Sequence, residues 1–152
     1  MMTNVADPIF VDTNIIVYAS WSAAPLHQQA RQTLAQAAAA GAPLVISRQV
    51  IREFLATLNR PRSSLALPDL IAEVQAFDRN FLIADETAAT TAALLALLPQ
   101  ASGMQVHDVN IVATMQVMGI QRLLTNNPND FTVFEHMITI MPLVVLPTTP
   151  EA

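Results

Sequence analysis

Apolar runs of three or four residues alternate along this chain with longer stretches in which apolar side chains recur every three or four positions. The short runs read as buried parallel strands, the longer ones as helices with one face against a core. Ile9-Phe10-Val11 is the first such strand, and after Thr13-Asn14, read as a turn, Ile15–Ala19 fits a short helix. A second helix is expected from Pro25, a good first helical residue, to Ala40, with Gly41 as its C-terminal cap. Leu44-Val45-Ile46 is the next strand. Ser47 can cap a helix whose apolar positions Val50, Ile51, Phe54, Leu55 and Leu58 share a side and which ends before a Pro61–Ser64 loop.

The second half repeats the alternation. Pro68 opens a helix with Leu70, Ile71, Val74 and Phe77 inward, Phe81–Ala84 is a third strand, and Asp85 is placed to cap a helix from Glu86 to Leu98. Gln100–Val106 reads as a loop. Asp108 begins a helix carrying Ile111, Val112, Met115 and Met118, closed by Gly119. Leu123-Leu124-Thr125 is a fourth strand, Asn126–Asp130 a polar turn, and Ile138–Leu146 a last strand or two. This alternation calls for right-handed crossovers and a mostly parallel sheet covered on both faces, an α/β chain in three layers. With no repeat, low-complexity linker or break in the pattern, residues 1–152 are expected to form a single domain.

Composition narrows the picture. Hydrophobic residues make up 53% and charged residues 12%, against roughly 25% charged in a typical domain, so the chain has ample material for a core and is not disordered. The mean hydropathy of +0.41 raises the question of a membrane. Its longest apolar stretches, Ala92–Leu98 and the interrupted Ile138–Leu146, fall short of the ~20 residues of a spanning helix. Asp7 and Asp12 stand where a signal peptide would be basic, and the absence of cysteine suits a reducing compartment. A cytoplasmic protein is expected. Net charge −5 argues against coating nucleic acid through bulk charge.

Three acids are placed to carry chemistry. In an open parallel sheet, ligands bind beyond the carboxyl ends of the strands. Asp12 directly follows the first strand, and Asp108 starts a helix of the kind that opens onto the same edge. Glu53 falls at the border of the buried face set by Val50 and Phe54. The topology permits the three to converge. Each also has a plain reading, as a turn residue, a helix cap and an exposed helix residue respectively, and spacing alone leaves both readings open.

The local contexts of these acids add a resemblance. Val11-Asp12-Thr13-Asn14, Arg52-Glu53-Phe54, the His107–Ala113 segment around Asp108, and Leu123–Phe131 stand in the order of the motifs of PIN-domain ribonucleases. Order, spacing and chain length resemble the toxins of VapBC-type toxin–antitoxin pairs, over nearly the whole chain. The resemblance implies a three-layer α/β/α PIN-like fold and a metal-dependent endoribonuclease using Mg²⁺ or Mn²⁺. Crowded carboxylates repel one another unless a cation neutralises them, and hard divalent ions prefer oxygen ligands. Asp12 and Asp108 are the implied direct or water-bridged metal ligands, with Glu53 acting through water or orienting the nucleophile. The hydroxyls of Thr13 and Thr125 are candidates to hold a phosphate or a metal-bound water. A cognate antitoxin, whose C-terminal segment wraps the toxin, and a homodimer are implied as partners alongside RNA. The apolar Leu65–Phe81 and Ala30–Ala40 stretches are candidates for those contacts.

The chain departs from the pattern once. Many family members carry a fourth acid where Asn127 stands, so one tightly held ion is expected, with Asn127 bonding a metal water. Asp130 reads as a turn residue and His107 as a locally bonded one. All seven basic residues are arginines, and four lie between positions 48 and 62. Arg48 and Arg52 share a helix face and are candidates for RNA phosphates, with pairing to nearby carboxylates of equal standing. Among other classes, a phosphotransferase using Asp12 as nucleophile is disfavoured, since Asn14 replaces its second acid and no lysine is present. A non-catalytic PIN-like scaffold, and an RNA-processing nuclease without an antitoxin, remain as alternatives.

Overall fold

The computed structural model describes residues 6–63 and 65–143. Strands β1 (Ile9–Val11), β2 (Leu44–Ser47), β3 (Leu82–Ala84), β4 (Arg122–Thr125) and β5 (Thr139–Pro142) form one sheet in the order β3-β2-β1-β4-β5. Every pairing is parallel. Three central strands are buried on both faces, which is why they read as unbroken apolar runs. The expected last strand shortens to Thr139–Pro142, and Val144–Leu146 of that expectation lies outside the described residues.

Seven α-helices among the described residues cover the sheet. Helices α1 (Thr13–Ser20) and α2 (His27–Ala39) link β1 to β2, and α3 (Arg48–Leu58), α4 (Leu67–Gln75) and α5 (Phe77–Asn80) link β2 to β3. Helices α6 (Ala88–Leu97) and α7 (Val106–Met118) carry the chain back across to β4. Right-handed crossovers in opposite directions put the two groups on opposite faces. The packing agrees: α1 lies against α2 and α3, while α6 lies against α7. The fold is a PIN-like α/β/α sandwich with Phe10, Phe54, Leu123, Phe131 and Phe134 fully buried at its centre. No helix among the described residues is long and apolar enough to cross a membrane.

Several local expectations change. Thr13-Asn14 is no turn: Asp12 caps α1, whose first residue is Thr13. The helix expected from Pro68 breaks at Ala76 into α4 and α5. Leu70 and Val74, four apart, set its inner side, so Ile71 is 46% exposed. Met118, the last residue of α7 before the left-handed Gly119 (φ 69°), also faces out. Thr87 replaces Asp85 as the cap of α6, its amide donating to Thr90 Oγ1 at 3.1 Å. Helix α7 starts at Val106, which makes Asp108 its third residue rather than its cap. Pro61–Ser63 is a 3₁₀ turn where a loop was expected, and the polar turn expected over Asn126–Asp130 runs into a 3₁₀ turn at Pro128–Phe134.

Candidate active site

The strand order reverses direction between β1 and β4, and a crevice opens there beyond their carboxyl ends. Register sets its first residues. Val11 pairs with Leu124, so the next residues, Asp12 and Thr125, lie side by side. Thr125 Oγ1, fully buried, donates to Asp12 Oδ2 at 2.8 Å. Asp12 Oδ1 accepts from the Thr13 amide at 2.8 Å, as the cap of α1, and Asn14 Nδ2 reaches Oδ2 at 3.3 Å. The Asn127 amide donates to Thr125 Oγ1 at 3.0 Å, so β4 and the turn after it are tied to the same carboxylate.

Glu53 arrives from the opposite wall. On α3 the buried Val50, Phe54 and Leu58 hold one side against the core and leave Glu53 at its edge, half-buried. Thr13 Oγ1 donates to its Oε2 at 2.7 Å and Gln49 Nε2 to its Oε1 at 2.8 Å. Asp108 enters from the first turn of α7, and Asp130 from the 3₁₀ turn after β4. There Phe131 and Phe134 sink into the core three residues apart, which holds the preceding Asp130 over the cleft. Asp12, Glu53, Asp108, Asn127 and Asp130 all line this cleft of about 500 Å³, together with Thr13.

Its electrostatics are those of acids gathered in one place. Asp12, 6% exposed, has its carboxyl raised above the ordinary aspartate range, chiefly by burial; the Thr125 and Thr13 bonds oppose this, and the charges of Glu53 and Asp130 add to it. The Asp108 carboxyl is pushed up to about 6, first by burial and then by Asp12, Asp130 and Glu53, with His107 opposing. A helix N-terminus favours a carboxylate by 0.3–1 kcal/mol at a surface. Here burial and three like charges outweigh it.

Such a donor set, all oxygen and mostly anionic, fits a hard divalent cation. No three acidic or histidine side chains among the described residues stand close enough to grip one ion directly. Mg²⁺ commonly keeps several waters while taking one or two carboxylates, which matches this spread of oxygens.

Three other candidates, Thr125, Arg48 and Arg52, sit apart from the cleft lining. Thr125 is behind Asp12 rather than in the cleft. Arg48 Nε meets Asp85 at 3.0 Å and Arg52 Nη2 meets Glu86 at 3.2 Å, both outside the cleft lining. His107 lines the cleft, and its backbone carbonyl accepts from Gln49. Two residues escaped the sequence reading. The sequence reads Asp130 only as a turn residue, and the signal for it is an acid a few residues past a strand end at the direction change; for Gln49 it is an amide four residues before Glu53 on one helix face.

The PIN domain family model matches residues 9–136, and the chain belongs to that family. Solved structures of similar fold include three from toxin–antitoxin systems. The VapC20 toxin of Mycobacterium tuberculosis, described as cleaving the sarcin–ricin loop, is 22% identical, with 76% of this chain and 86% of that one covered at a TM-score of 0.60. A toxin–antitoxin complex from Klebsiella pneumoniae is 20% identical, covering 92% and 100% at a TM-score of 0.65. A DNA-bound VapBC from Salmonella typhimurium is 19% identical, covering 91% and 100% at 0.63. At these identities the likeness is one of fold. A search of curated protein sequences returned no significant match.

Proposed function

We propose that this chain is a metal-dependent endoribonuclease, the toxin of a type II toxin–antitoxin pair, working with Mg²⁺ or Mn²⁺. One observation carries the reading: Asp12, Glu53, Asp108 and Asp130, from four distant parts of the chain, line one cleft at the point where the sheet reverses direction. Burial and mutual repulsion make that cluster costly without a cation. A divalent ion held there would supply an acidified water for attack on phosphorus and would steady charge on the leaving oxygen.

The chain's own residues do the rest. Asp12 and Asp108 would hold the ion, directly or through water. Glu53, fixed at each oxygen by one donor, keeps lone pairs free to orient the attacking water. Thr125 holds Asp12 in place, and Thr13 holds Glu53. Asn127 offers a neutral amide to a water or phosphate at the cleft rim. Arg48 and Arg52 take RNA phosphates by exchanging them for Asp85 and Glu86. The protein works in the cytoplasm as a homodimer, restrained by an antitoxin whose basic side chain complements the acids. The similar toxin–antitoxin complexes support that partnership.

The test is cleavage of a mixed structured-RNA pool by purified protein with Mg²⁺, Mn²⁺ or EDTA, beside Asp12→Asn. Metal-dependent cutting lost in the variant is the expected result. Equal traces from both proteins, or cutting that survives EDTA, would overturn the reading.

A further inference from the structure

Gln49 is polar, on a helix of the α3 type that turns its apolar side inward, yet it is only 4% exposed. Every hydrogen-bonding group of its side chain is used. Nε2 donates to Glu53 Oε1 at 2.8 Å and to the His107 carbonyl at 2.8 Å, and Oε1 accepts from Asn110 Nδ2 at 2.7 Å. Because both Nε2 hydrogens point at acceptors and Oε1 faces a donor, the amide has one satisfied orientation. Its backbone amide adds a fourth tie, donating to Glu86 Oε1 at 3.1 Å.

These bonds do more than satisfy a buried group. Glu53 stands on α3 and Asp108 on α7, and no hydrogen bond joins the two acids among the described residues. Gln49 is the bridge. It grips Glu53 from one side while holding the carbonyl just before Asp108 and the side chain two residues after it. We propose that Gln49 is a positioning residue, one that sets the distance between Glu53 and Asp108 and fixes the rotamer of Glu53; this rests on the cleft being the metal-dependent site proposed above. Thr13 holds the other oxygen of Glu53, so the carboxylate is clamped between two donors from different helices.

The chemistry singles out a variant. Gln49→Glu keeps the length and volume, and still offers an oxygen to Asn110. It also replaces the donor facing Glu53 and the His107 carbonyl with an acceptor, so Glu53 must swing away. Gln49→Ala removes the bridge without the repulsion.

Mn²⁺ affinity of the full chain, measured by calorimetry, gives a readout independent of cleavage. Both variants are expected to bind Mn²⁺ about ten- to a hundredfold more weakly, as losses of ligand-orienting partners do. Both should lower kcat on RNA with KM little changed, and Gln49→Glu more than Gln49→Ala. In a Glu53→Ala background, Gln49→Ala should cost Mn²⁺ affinity little more, because its effect runs through the missing carboxylate. Losses that simply add across the two substitutions, with Tm falling in step, would reduce Gln49 to a structural tie and overturn the proposal. Wild-type protein that neither binds Mn²⁺ nor cuts RNA would overturn the nuclease reading instead, and this proposal with it.

Discussion

Asp12 serves two demands that pull against each other: it caps α1 and is also the most buried acid of the cleft. Thr125 is what reconciles them, by donating to the oxygen that the helix cap does not use. Thr125→Val should cost about 1–3 kcal/mol, the usual consequence of leaving a buried acceptor short of a donor. Thermal unfolding checks the stability, and cleavage should fall with it. Asp108 gives the opposite combination. Its carboxyl binds protons more readily in the folded chain between 3.8 and about 6. Stability of the metal-free protein therefore falls as pH rises through that window, and the loss is complete above it. Asp108→Asn should raise Tm at neutral pH by about 2–4 °C, taking on the order of 1 kcal/mol after discounting for partial exposure. The same variant should cut no RNA. A lower Tm would show that the carboxylate is stabilising as it stands.

Helix α3 carries Glu53 and the Gln49 that bonds it. Its first turn is bound by the acidic pair before α6: Asp85 meets Arg48, and Glu86 meets Arg52 and the Gln49 amide. The two ion pairs are largely exposed, so replacing both arginines with alanine should change stability by less than about 1 kcal/mol in total. If they exchange those acids for phosphates, the double variant will bind RNA more weakly and with a shallower salt dependence. Unchanged binding across a salt titration would confine them to holding α3. The strands and most helices were legible because a parallel sheet buried on both faces leaves unbroken apolar runs, and capping residues such as Ser47 mark helix starts. Asp12 was legible as a site residue from its place at a strand end. The roles of Gln49 and Asp130 were not, since they depend on contacts between helices and turns far apart in the chain. Asp85 was misread as a cap because aspartate suits that position, while Thr87 occupies it and leaves Asp85 for Arg48.

At the scale of the whole molecule, the acids of the cleft add to a net charge of −5, so a divalent ion should stabilise the fold as well as permit chemistry. At about a hundred times its Kd, Mn²⁺ should add about 2.7 kcal/mol at pH 7.5 and raise Tm accordingly. EDTA should reverse the shift. Near pH 5, below the raised value of about 6 for the Asp108 carboxyl, proton competition should shrink the shift, and an equal shift at both pH values would place the ion elsewhere. A second cavity, of about 570 Å³, lies away from the acids between α1, α2 and the α4–α5 segment, with Ile16, Leu34, Phe77 and Phe81 in its walls. Its lining shares no residue with the acidic cleft.

The central position of β1 carries a consequence for how the protein is made. Ile9–Val11 leaves the ribosome before the other four strands of the described sheet, yet one of its two neighbours is β4, the fourth of the five to emerge. Until residues 122–125 have emerged, Asp12 lacks the hydroxyl that holds it and one wall of the crevice does not exist. A nascent chain stalled short of that point has no assembled cleft, so the acids of the site come together only once four of the five strands have been made.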